Sequence, residues 1–413
     1  MTGALASRRL IESLRTLRLL RELRAPRSAA ALAELQDELL RRAVSHVASM
    51  PFYRELWAER GFDPTSFRGL ADLARLPVLS ADDARAALRQ VESRDSYATS
   101  GSSGSPLSVP RSAAEQRVWR AGGLRIWLEH GYRWSDLTLR FDSQAAPRHP
   151  LQRLGLSRTL WISNELPLED RVDELLGARA RVVVGTPTVL RQVCAALESR
   201  GVRPARPRVV FVQGEVCDLW TRALVARVFG VDPVDLYGLT EVGYVAWQCE
   251  RRGPLHVNAE AYLVEVLRDD RAAVAGELGR VVITDLRGRT MPLLRYDTGD
   301  LALVAEGPCV CGRPSPLLGR MEGRADGALL RRDGGIVTTR AVLDSLGTDG
   351  FRVRQNSDGQ IELQAAPETN AACLTAELEA LLGEPVAHRT MIAADPETAE
   401  KTRWLGSELR PEL

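Results

Sequence analysis

The sequence predicts an α/β protein, because β-branched runs alternate with helical segments from about residue 137 onward. The runs cover residues 181–184 and 209–212, and the helical segments cover residues 188–200 and 219–229. Strands and helices in alternation imply a mixed or parallel sheet flanked by helices on its faces. After residue 323, strand-like pieces alternate with short helices. This change predicts a separate, small α+β domain behind a large N-terminal domain.

Composition limits the class of protein. The 413 residues allow two or three domains, and 45% hydrophobic with 26% charged residues are ordinary for a globular protein. The formal net charge is +1, from 55 basic and 54 acidic residues. This balance argues against an obligate nucleic-acid binder, so no nucleic-acid partner is expected.

The first thirty or so residues are rich in arginine and leucine, with apolar residues at helical spacing at Leu10, Leu14, Leu17 and Leu20. The longest uncharged run is too short for a signal peptide or a membrane span. A basic amphipathic helix either lies on a membrane surface or docks on the protein's own body. We expect docking, and a cytoplasmic location.

The remaining elements follow in order along the chain. Residues 1–95 are predicted to be helical, with a stop at Met50-Pro51 and a capped helix start at Ser80. Hairpin-like strands are predicted between residues 261 and 304. The periodicity predicts helices at 30–47, 113–128, 340–346 and 371–382, and strands at 262–267, 279–284, 301–304, 328–331, 351–355 and 360–364.

A stretch of small residues at 97–106 alternates hydroxyl side chains with glycines and carries no charge. Backbone N–H groups and hydroxyls in such a loop can converge on one anion. The stretch is not a Walker A loop, because Ser105 follows Gly104 and there is no lysine. Judged alone, such a stretch is more often a flexible surface loop.

Three later stretches also carry chemical groups. Residues 237–241 place an aromatic ring, a hydroxyl and a carboxylate at a strand end. Residues 295–300 end in Asp300 after a glycine turn, which suits an acceptor for a ribose diol. Residues 323–326 begin the small domain. Each stretch alone is weak, because similar sequences occur in many loops.

In this order, the four stretches resemble the motif series of the adenylate-forming superfamily, which includes acyl-CoA synthetases, adenylation domains and luciferases. The chain is most similar to the phenylacetate–CoA ligase branch over nearly its whole length. Residues 51–54, 70–77, 213–215 and 255–258 carry that similarity. The resemblance implies a large domain over residues 1–322 and a small mobile lid over residues 323–413. The hinge would lie at Asp326.

The resemblance also implies an activity, which is ATP-dependent activation of a carboxylic acid to an acyl-adenylate, release of pyrophosphate and acyl transfer to CoA. Mg²⁺ would be held by Glu241, with Thr240 at the α-phosphate and Lys401 as the adenylation lysine. Glu400 replaces the glycine that usually precedes this lysine. The remaining nucleotide contacts would be Thr99, Ser100, Gly101, Ser102, Ser103 and Gly104 at the phosphates, Gly214, Glu215 and Tyr237 at the adenine, and Asp300 with Arg324 at the ribose. Gly238, next to Tyr237, would also contact the nucleotide.

The acyl pocket implied by the resemblance is mostly uncharged, which suits an aromatic or otherwise flat acid. Its residues would be Phe141, Gly185, Thr186, Pro187 and Gln213. Residues 334–339 lack the proline, and the following helix 340–346 lacks the glutamate, that relatives carry where the thiol acceptor binds. This departure puts CoA as the acceptor in question more than it does the adenylation step.

Six cysteines are too few and too scattered for a disulfide framework. Cys249 and His256 form one pair of soft or borderline ligands, and Cys309 and Cys311 form a second. Two such pairs suit a closed, tetrahedral Zn²⁺ site of structural type, and some members of the branch resemble the chain in this feature. Buried cysteines without a metal are the alternative.

Other functions remain to be weighed against the CoA ligase. The same adenylation could deliver the acyl group to an amine or to a carrier-protein thiol, or the chain could bind nucleotide without catalysis. A serine hydrolase is not supported, because there is no Gly-x-Ser-x-Gly sequence. A homodimer is compatible with all of these interpretations.

Overall fold

The structure is a computed structural model that describes residues 2–24, 27–91, 96–98, 108–143, 152, 154–367, 369–390, 403–411 and 413. The predicted phosphate loop at 99–104 and Lys401 lie outside the described residues. The helices are α1 (Thr2–Arg24), α2 (Ala29–Val47), α3 (Pro51–Glu59), α4 (Ala81–Arg89), α5 (Ala113–Glu129), α6 (Leu168–Ala178), α7 (Pro187–Ser199), α8 (Leu219–Phe229), α9 (Thr339–Leu346) and α10 (Ala371–Leu382).

The strands follow the predicted alternation. They are β1 (Ser96–Ala98), β2 (Ser108–Pro110), β3 (Thr138–Phe141), β4 (Thr159–Ile162), β5 (Val182–Gly185), β6 (Val209–Gln213), β7 (Val234–Leu239), β8 (Gly243–Gln248), β9 (Leu255–Val257), β10 (Tyr262–Arg268), β11 (Arg271–Ala272), β12 (Leu278–Asp285), β13 (Tyr296–Leu303), β14 (Leu317–Leu318), β15 (Met321–Arg324), β16 (Leu329–Leu330), β17 (Ile336–Val337), β18 (Phe351–Gln355), β19 (Ile361–Ala365), β20 (Ala387–Thr390) and β21 (Arg403–Ser407). The predicted helices 219–229 and 371–382 and the predicted strand 351–355 are confirmed to the residue.

The largest sheet has eight strands in the order β14-β9-β8-β7-β6-β5-β3-β4. Strands β4, β3, β5, β6 and β7 run parallel, whereas β8, β9 and β14 add on as antiparallel neighbours. Alternate residues of β6 enter two cores. Val210 and Val212 pack with helices α6 to α8 on one face, and Phe211 packs with α5 on the other. The predicted α/β class is confirmed.

A second sheet of five strands is antiparallel, in the order β11-β10-β12-β13-β15. It shares a hydrophobic core with the N-terminal helices, to which Tyr53 and Ile283 contribute fully buried side chains. The sequence predicted a turn at 295–300 before a strand at 301–304. The structure corrects this, since β13 runs from Tyr296 to Leu303 and its pairing with β12 is interrupted by a bulge before Leu301. Because the bulge accommodates extra residues within β13, residues 296–300 belong to the strand although their sequence predicts a turn.

The C-terminal part contains a four-stranded sheet, β20-β19-β18-β21, covered by α9 and α10. Its own hydrophobic cluster includes Leu343, Phe351, Leu363 and Leu378. A separate small α+β domain is plausible from this arrangement. The boundary at residue 322 and the hinge at Asp326 stay predictions.

Helix α1 packs against α5 through Leu20, Leu23 and Ala121, and Arg117 of α5 forms an ion pair with Glu12 at 2.5 Å. The predicted docking is therefore confirmed. Of the predicted apolar positions, Leu20 is buried, whereas Leu14 and Leu17 are 59% and 38% exposed. Within the described residues, the structure has no helix that is both long enough and apolar enough to span a bilayer.

Candidate active site

The carboxyl ends of the parallel strands bring several predicted site residues to one edge of the large sheet. Gly185 pairs with Val212, and Gln213 pairs with Leu236, so the turns after β5, β6 and β7 are neighbours. Ligands of α/β sheets bind at this edge. Gly214 follows with φ +80°, a conformation that favours glycine.

Two predicted residues at this edge cap helix α7. The Thr186 hydroxyl accepts a hydrogen bond from Val189 N, and Glu215 Oε2 accepts one from Thr188 N at 3.0 Å. Pro187 occupies the first helical position, where a missing N–H costs nothing. These residues therefore hold the N-terminus of α7 at the site.

The centre of the site is a contact between the two sheets. Tyr237, at the end of β7, donates its hydroxyl to Asp300 Oδ2 of β13 at 2.8 Å. Arg324 of β15 places Nη1 3.6 Å from Asp300 Oδ1. Burial raises the pKa of Asp300 to about 6, opposed by the positive charge of Arg324 and by the Tyr237 hydrogen bond. Burial also raises the pKa of Tyr237 well above its ordinary value, so Tyr237 stays a donor.

The bulge in β13 fixes the direction of the Asp300 carboxylate. Asp300 lies directly opposite Arg324 in the strand pairing, and its N–H donates to Thr298 Oγ1 at 3.1 Å. Gly299 has φ +72°, and a Cβ there would lie 2.9 Å from Arg324 Nη2. Any other residue would therefore be strained and would displace the guanidinium.

Thr240 and Glu241 follow β7 and are held by residues that the sequence did not indicate. The Tyr296 hydroxyl donates to Glu241 Oε1 at 3.3 Å. Arg111 donates to the carbonyl oxygen of Thr240, and its guanidinium lies 3.8 Å from the centroid of the Trp119 ring. Arg111 is buried, although an arginine right after a strand reads as a surface residue.

The predicted acyl-pocket residues are not all brought together. Phe141 lies in the core formed with helices α6 to α8 and packs near Gly185. Gln213 faces the α5 side of the sheet, where its Oε1 accepts from the Tyr244 hydroxyl at 3.3 Å. Sequence reasoning missed Tyr244 and also Arg140, whose Nη1 lies 3.4 Å from the same hydroxyl.

The four predicted metal ligands do come together. Cys249 Sγ lies 3.6 Å from Cys309 Sγ, and Cys311 Sγ lies 3.4 Å from His256 Nε2. All four ligand atoms lie within 4.8 Å of one another. A tetrahedral site with Zn–S bonds of about 2.3 Å requires ligand separations of about 3.5–3.8 Å, so this set fits zinc. Ser315 Oγ lies 2.6 Å from His256 Nδ1 and orients the ring.

Two predicted parts of the site can be located only by their flanks. Strands β1 and β2, on either side of the 99–104 loop, pair with each other in antiparallel register. Strand β21 begins at Arg403, two residues after Lys401, and pairs in parallel with β18. Of the 55 lysine and arginine residues, only Lys401 is a lysine. That Lys401 is the single lysine in the sequence is a second signal for this residue, besides its position near the C-terminus.

No protein-family model matches the chain. A phenylacetate–coenzyme A ligase of Thermus thermophilus is 30% identical over 336 residues, which cover 75% of this chain and 74% of that protein. A protein of the same name from Pseudomonas putida is 26% identical over 342 residues, covering 76% and 75%.

Solved structures show the same fold. A 2-hydroxyisobutyryl-CoA ligase in complex with 2-HIB-AMP has a TM-score of 0.73 and 20% identity, with coverage of 90% of this chain and 89% of that chain. An anthranilate CoA ligase in complex with anthranoyl-AMP has a TM-score of 0.56 and 16% identity, with coverage of 74% and 64%.

The relatives and the shared fold place the chain in the class of AMP-forming acyl-CoA ligases of the adenylate-forming superfamily. Within that class, the identity shared with the Thermus protein is decisive, because it extends over three quarters of both chains. The chain belongs to the phenylacetate–coenzyme A ligase family.

Proposed function

We propose that this chain activates a carboxylic acid with ATP, forms an acyl-adenylate with release of pyrophosphate, and transfers the acyl group to CoA. Support comes from family membership and from one structural observation. The buried Asp300 carboxylate lies between the Tyr237 hydroxyl and the Arg324 guanidinium, at the carboxyl edge of a parallel sheet. This is the arrangement expected for a ribose-binding acid.

The chain's residues supply positioning rather than a covalent nucleophile. The carboxylate of the acid attacks the α-phosphorus in line with the departing pyrophosphate, so the site must hold two anions close together. Asp300 accepts from the ribose hydroxyls, and the Tyr237 ring lies beside the adenine. Arg111 holds the Thr240 carbonyl and so fixes the segment that faces the α-phosphate.

Two metal ions belong to the proposal. Glu241 supplies a carboxylate for Mg²⁺, which neutralises charge on the phosphate oxygens. Among the described residues, the Tyr296 hydroxyl contacts Oε1 of Glu241 and no contact to Oε2 is found, so Oε2 is available for the ion. Zn²⁺ would be held by the Cys249, His256, Cys309 and Cys311 set, in a closed structural role.

The positive charge for the adenylation step is assigned to Lys401, and the contacts to the β- and γ-phosphates are assigned to the uncharged loop at 99–104. Both assignments rest on the family resemblance and on position in the sequence. Because all other basic positions in the chain except histidine are arginine, the single lysine is a specific candidate. A compact ammonium can approach one phosphate oxygen more closely than a planar guanidinium.

An amine or a carrier-protein thiol is the alternative acceptor. One observation favours it: Thr338, in the segment that departs from the relatives, caps α9 and donates its hydroxyl to Glu322 at 2.7 Å. Because of that contact, the Thr338 hydroxyl binds another residue of the protein and is not free to contact CoA. A cytoplasmic location, where ATP and CoA are abundant, and a homodimeric assembly are the remaining parts of the proposal.

The test is a panel of carboxylic acids scored by pyrophosphate release, followed by acceptors offered with the best acid. We expect pyrophosphate release to depend on the acid and on Mg²⁺, and a CoA thioester to form. An amide product without any thioester would overturn the assignment of CoA. No pyrophosphate release with any acid would overturn adenylation.

A further inference from the structure

Four polar or aromatic side chains meet on the α5 side of the large sheet, beside the end of β6. Arg140 of β3 lies directly across from Trp161 of β4, and its guanidinium carbon is 5.3 Å from the centroid of the Trp161 ring. Tyr244 of β8 donates to Gln213 Oε1 at 3.3 Å. We call Arg140, Trp161, Gln213 and Tyr244 the Arg140 cluster.

The N–H donors of the Arg140 guanidinium have no close acceptor among the described residues. Nη1 and Nη2 reach the Tyr244 hydroxyl at 3.4 Å and 3.5 Å, which is the long end of the hydrogen-bond range. Nε is shielded from solvent and has no acceptor among the described residues. Within that part of the chain, no carboxylate forms an ion pair with Arg140, whereas most half-buried arginines here have one.

A half-buried cation without a counter-charge costs free energy, and an anionic group of a ligand would offset that cost. The planar fork of an arginine matches a carboxylate with two parallel hydrogen bonds. The Tyr244 hydroxyl donates to Gln213 and accepts from Arg140, so it holds the fork in place. A Cβ at Gly123 would lie 2.9 Å from the Tyr244 ring, so glycine there lets Tyr244 pack against α5.

The cluster lies at the acid end of the site rather than at the nucleotide. Gln213 is in the predicted acyl pocket and pairs with Leu236, next to Tyr237. Arg140 stands on β3, three strands away from β7 in the sheet. At about 4.8 Å between neighbouring strands, its Cα is about 14 Å from β7. A group bound there belongs to the part of the acid remote from the reacting carboxylate.

We propose that the Arg140 cluster binds a second anionic group on the acid substrate, so that the preferred substrates are dicarboxylic acids. This inference rests on the proposed adenylation and specifies its substrate class. One carboxylate reacts at the α-phosphate, and the other pairs with Arg140.

The experiment compares matched pairs of acids, benzoate with isophthalate and terephthalate, and phenylacetate with phenylenediacetate. The readout is kcat/KM for pyrophosphate release. We expect the diacids to be preferred at least about tenfold. In Arg140→Met the diacids should lose roughly 10- to 100-fold, the usual loss for a charged hydrogen bond, while the monoacids change less than about threefold. Arg120→Met, at an exposed arginine of α5, is the matched control and should leave both classes unchanged.

Equal kcat/KM for monoacids and diacids in the unsubstituted protein would overturn the inference. So would an equal loss for both classes in Arg140→Met, since that would place Arg140 on the shared carboxylate or in the fold. If Arg140→Met fails to fold by thermal melting, Arg140→Lys decides, because it keeps the charge but loses the fork. The diacid preference must then fall in the lysine variant. If the protein adenylates monoacids and diacids equally well and Arg140→Met changes neither, only this inference is wrong. If no acid is adenylated at all, the proposed function is wrong.

Discussion

Asp300 is the residue on which the proposed nucleotide binding depends most directly. Its carboxylate is buried, receives the Tyr237 hydroxyl and faces Arg324 across two paired strands. An ionised carboxylate accepts hydrogen bonds from both hydroxyls of a ribose, whereas the protonated form has lost part of that capacity. Because burial raises the pKa of Asp300 to about 6, the proton is taken up as the pH falls through that value.

We therefore expect the KM for ATP to rise when the pH is lowered from 7.5 to 5.5, with the carboxylate form favoured above about pH 6. Asp300→Asn should raise the KM for ATP about 10- to 100-fold at pH 7.5, because a charge-assisted acceptor is lost. The variant should also show a flatter pH profile, since the titrating group is gone. Steady-state kinetics at several pH values checks both, and a variant with the unaltered profile would contradict the role of Asp300.

The helices and strands differ in whether neighbouring residues alone determine them. Strand β6 and helices α8 and α10 could be predicted because a β-branched run or a 3.6-residue repeat is a local signal. The β13 bulge could not, because it depends on pairing with β12 and β15. The four metal ligands were predictable from their chemistry. The Arg140–Tyr244 contact was not, since 104 residues separate its partners.

The metal cluster joins elements that are distant in the chain. Cys249 follows β8, His256 lies in β9, and Cys309 and Cys311 lie in the loop before β14, which pairs with β9. We expect about one equivalent of zinc in the purified protein. Cys309→Ser should lose the metal and lower the thermal midpoint by several degrees, because the ion ties that loop to the sheet edge.

Cys373→Ser is the matched control for the zinc prediction, since Cys373 is exposed and far from the cluster in the chain. It should keep both the metal and the thermal midpoint. Elemental analysis together with differential scanning calorimetry measures the two quantities. A metal-free protein with an unaltered midpoint in Cys309→Ser would contradict the structural role.

At the scale of the whole molecule, the C-terminal part contacts α7, α8 and the loop before α8, which flank the large sheet. Arg340 of α9 donates to Cys217 O at 2.8 Å, and the Trp220 indole donates to Asp344 O at 2.8 Å. Arg191 of α7 forms an ion pair with Asp349 at 2.6 Å. These contacts fix one orientation of the C-terminal part against the ends of α7 and α8. A lid that rotates between two half-reactions would have to break them.

The single lysine allows the two half-reactions to be separated. We expect Lys401→Ala to reduce adenylation about 10²- to 10³-fold, as the loss of one donor to a developing charge does. Thioester formation from a supplied acyl-adenylate should continue, because in that step the thiol attacks the acyl carbon and no bond to the α-phosphorus forms or breaks. Lys401→Arg is the control that keeps the positive charge. Survival of both half-reactions in Lys401→Ala would show that this lysine is not the adenylation lysine.

The central claim is that the site around Glu241 and Asp300 forms an acyl-adenylate. Acid-dependent exchange of labelled pyrophosphate into ATP measures this step without involving the acceptor. Glu241→Gln keeps an acceptor for the Tyr296 hydroxyl and removes the charge that holds Mg²⁺. We predict exchange in the unsubstituted protein that requires an acid and Mg²⁺, and a loss of at least about 10²-fold in Glu241→Gln. Exchange that needs no acid, or that proceeds at the full rate in Glu241→Gln, would contradict the assignment.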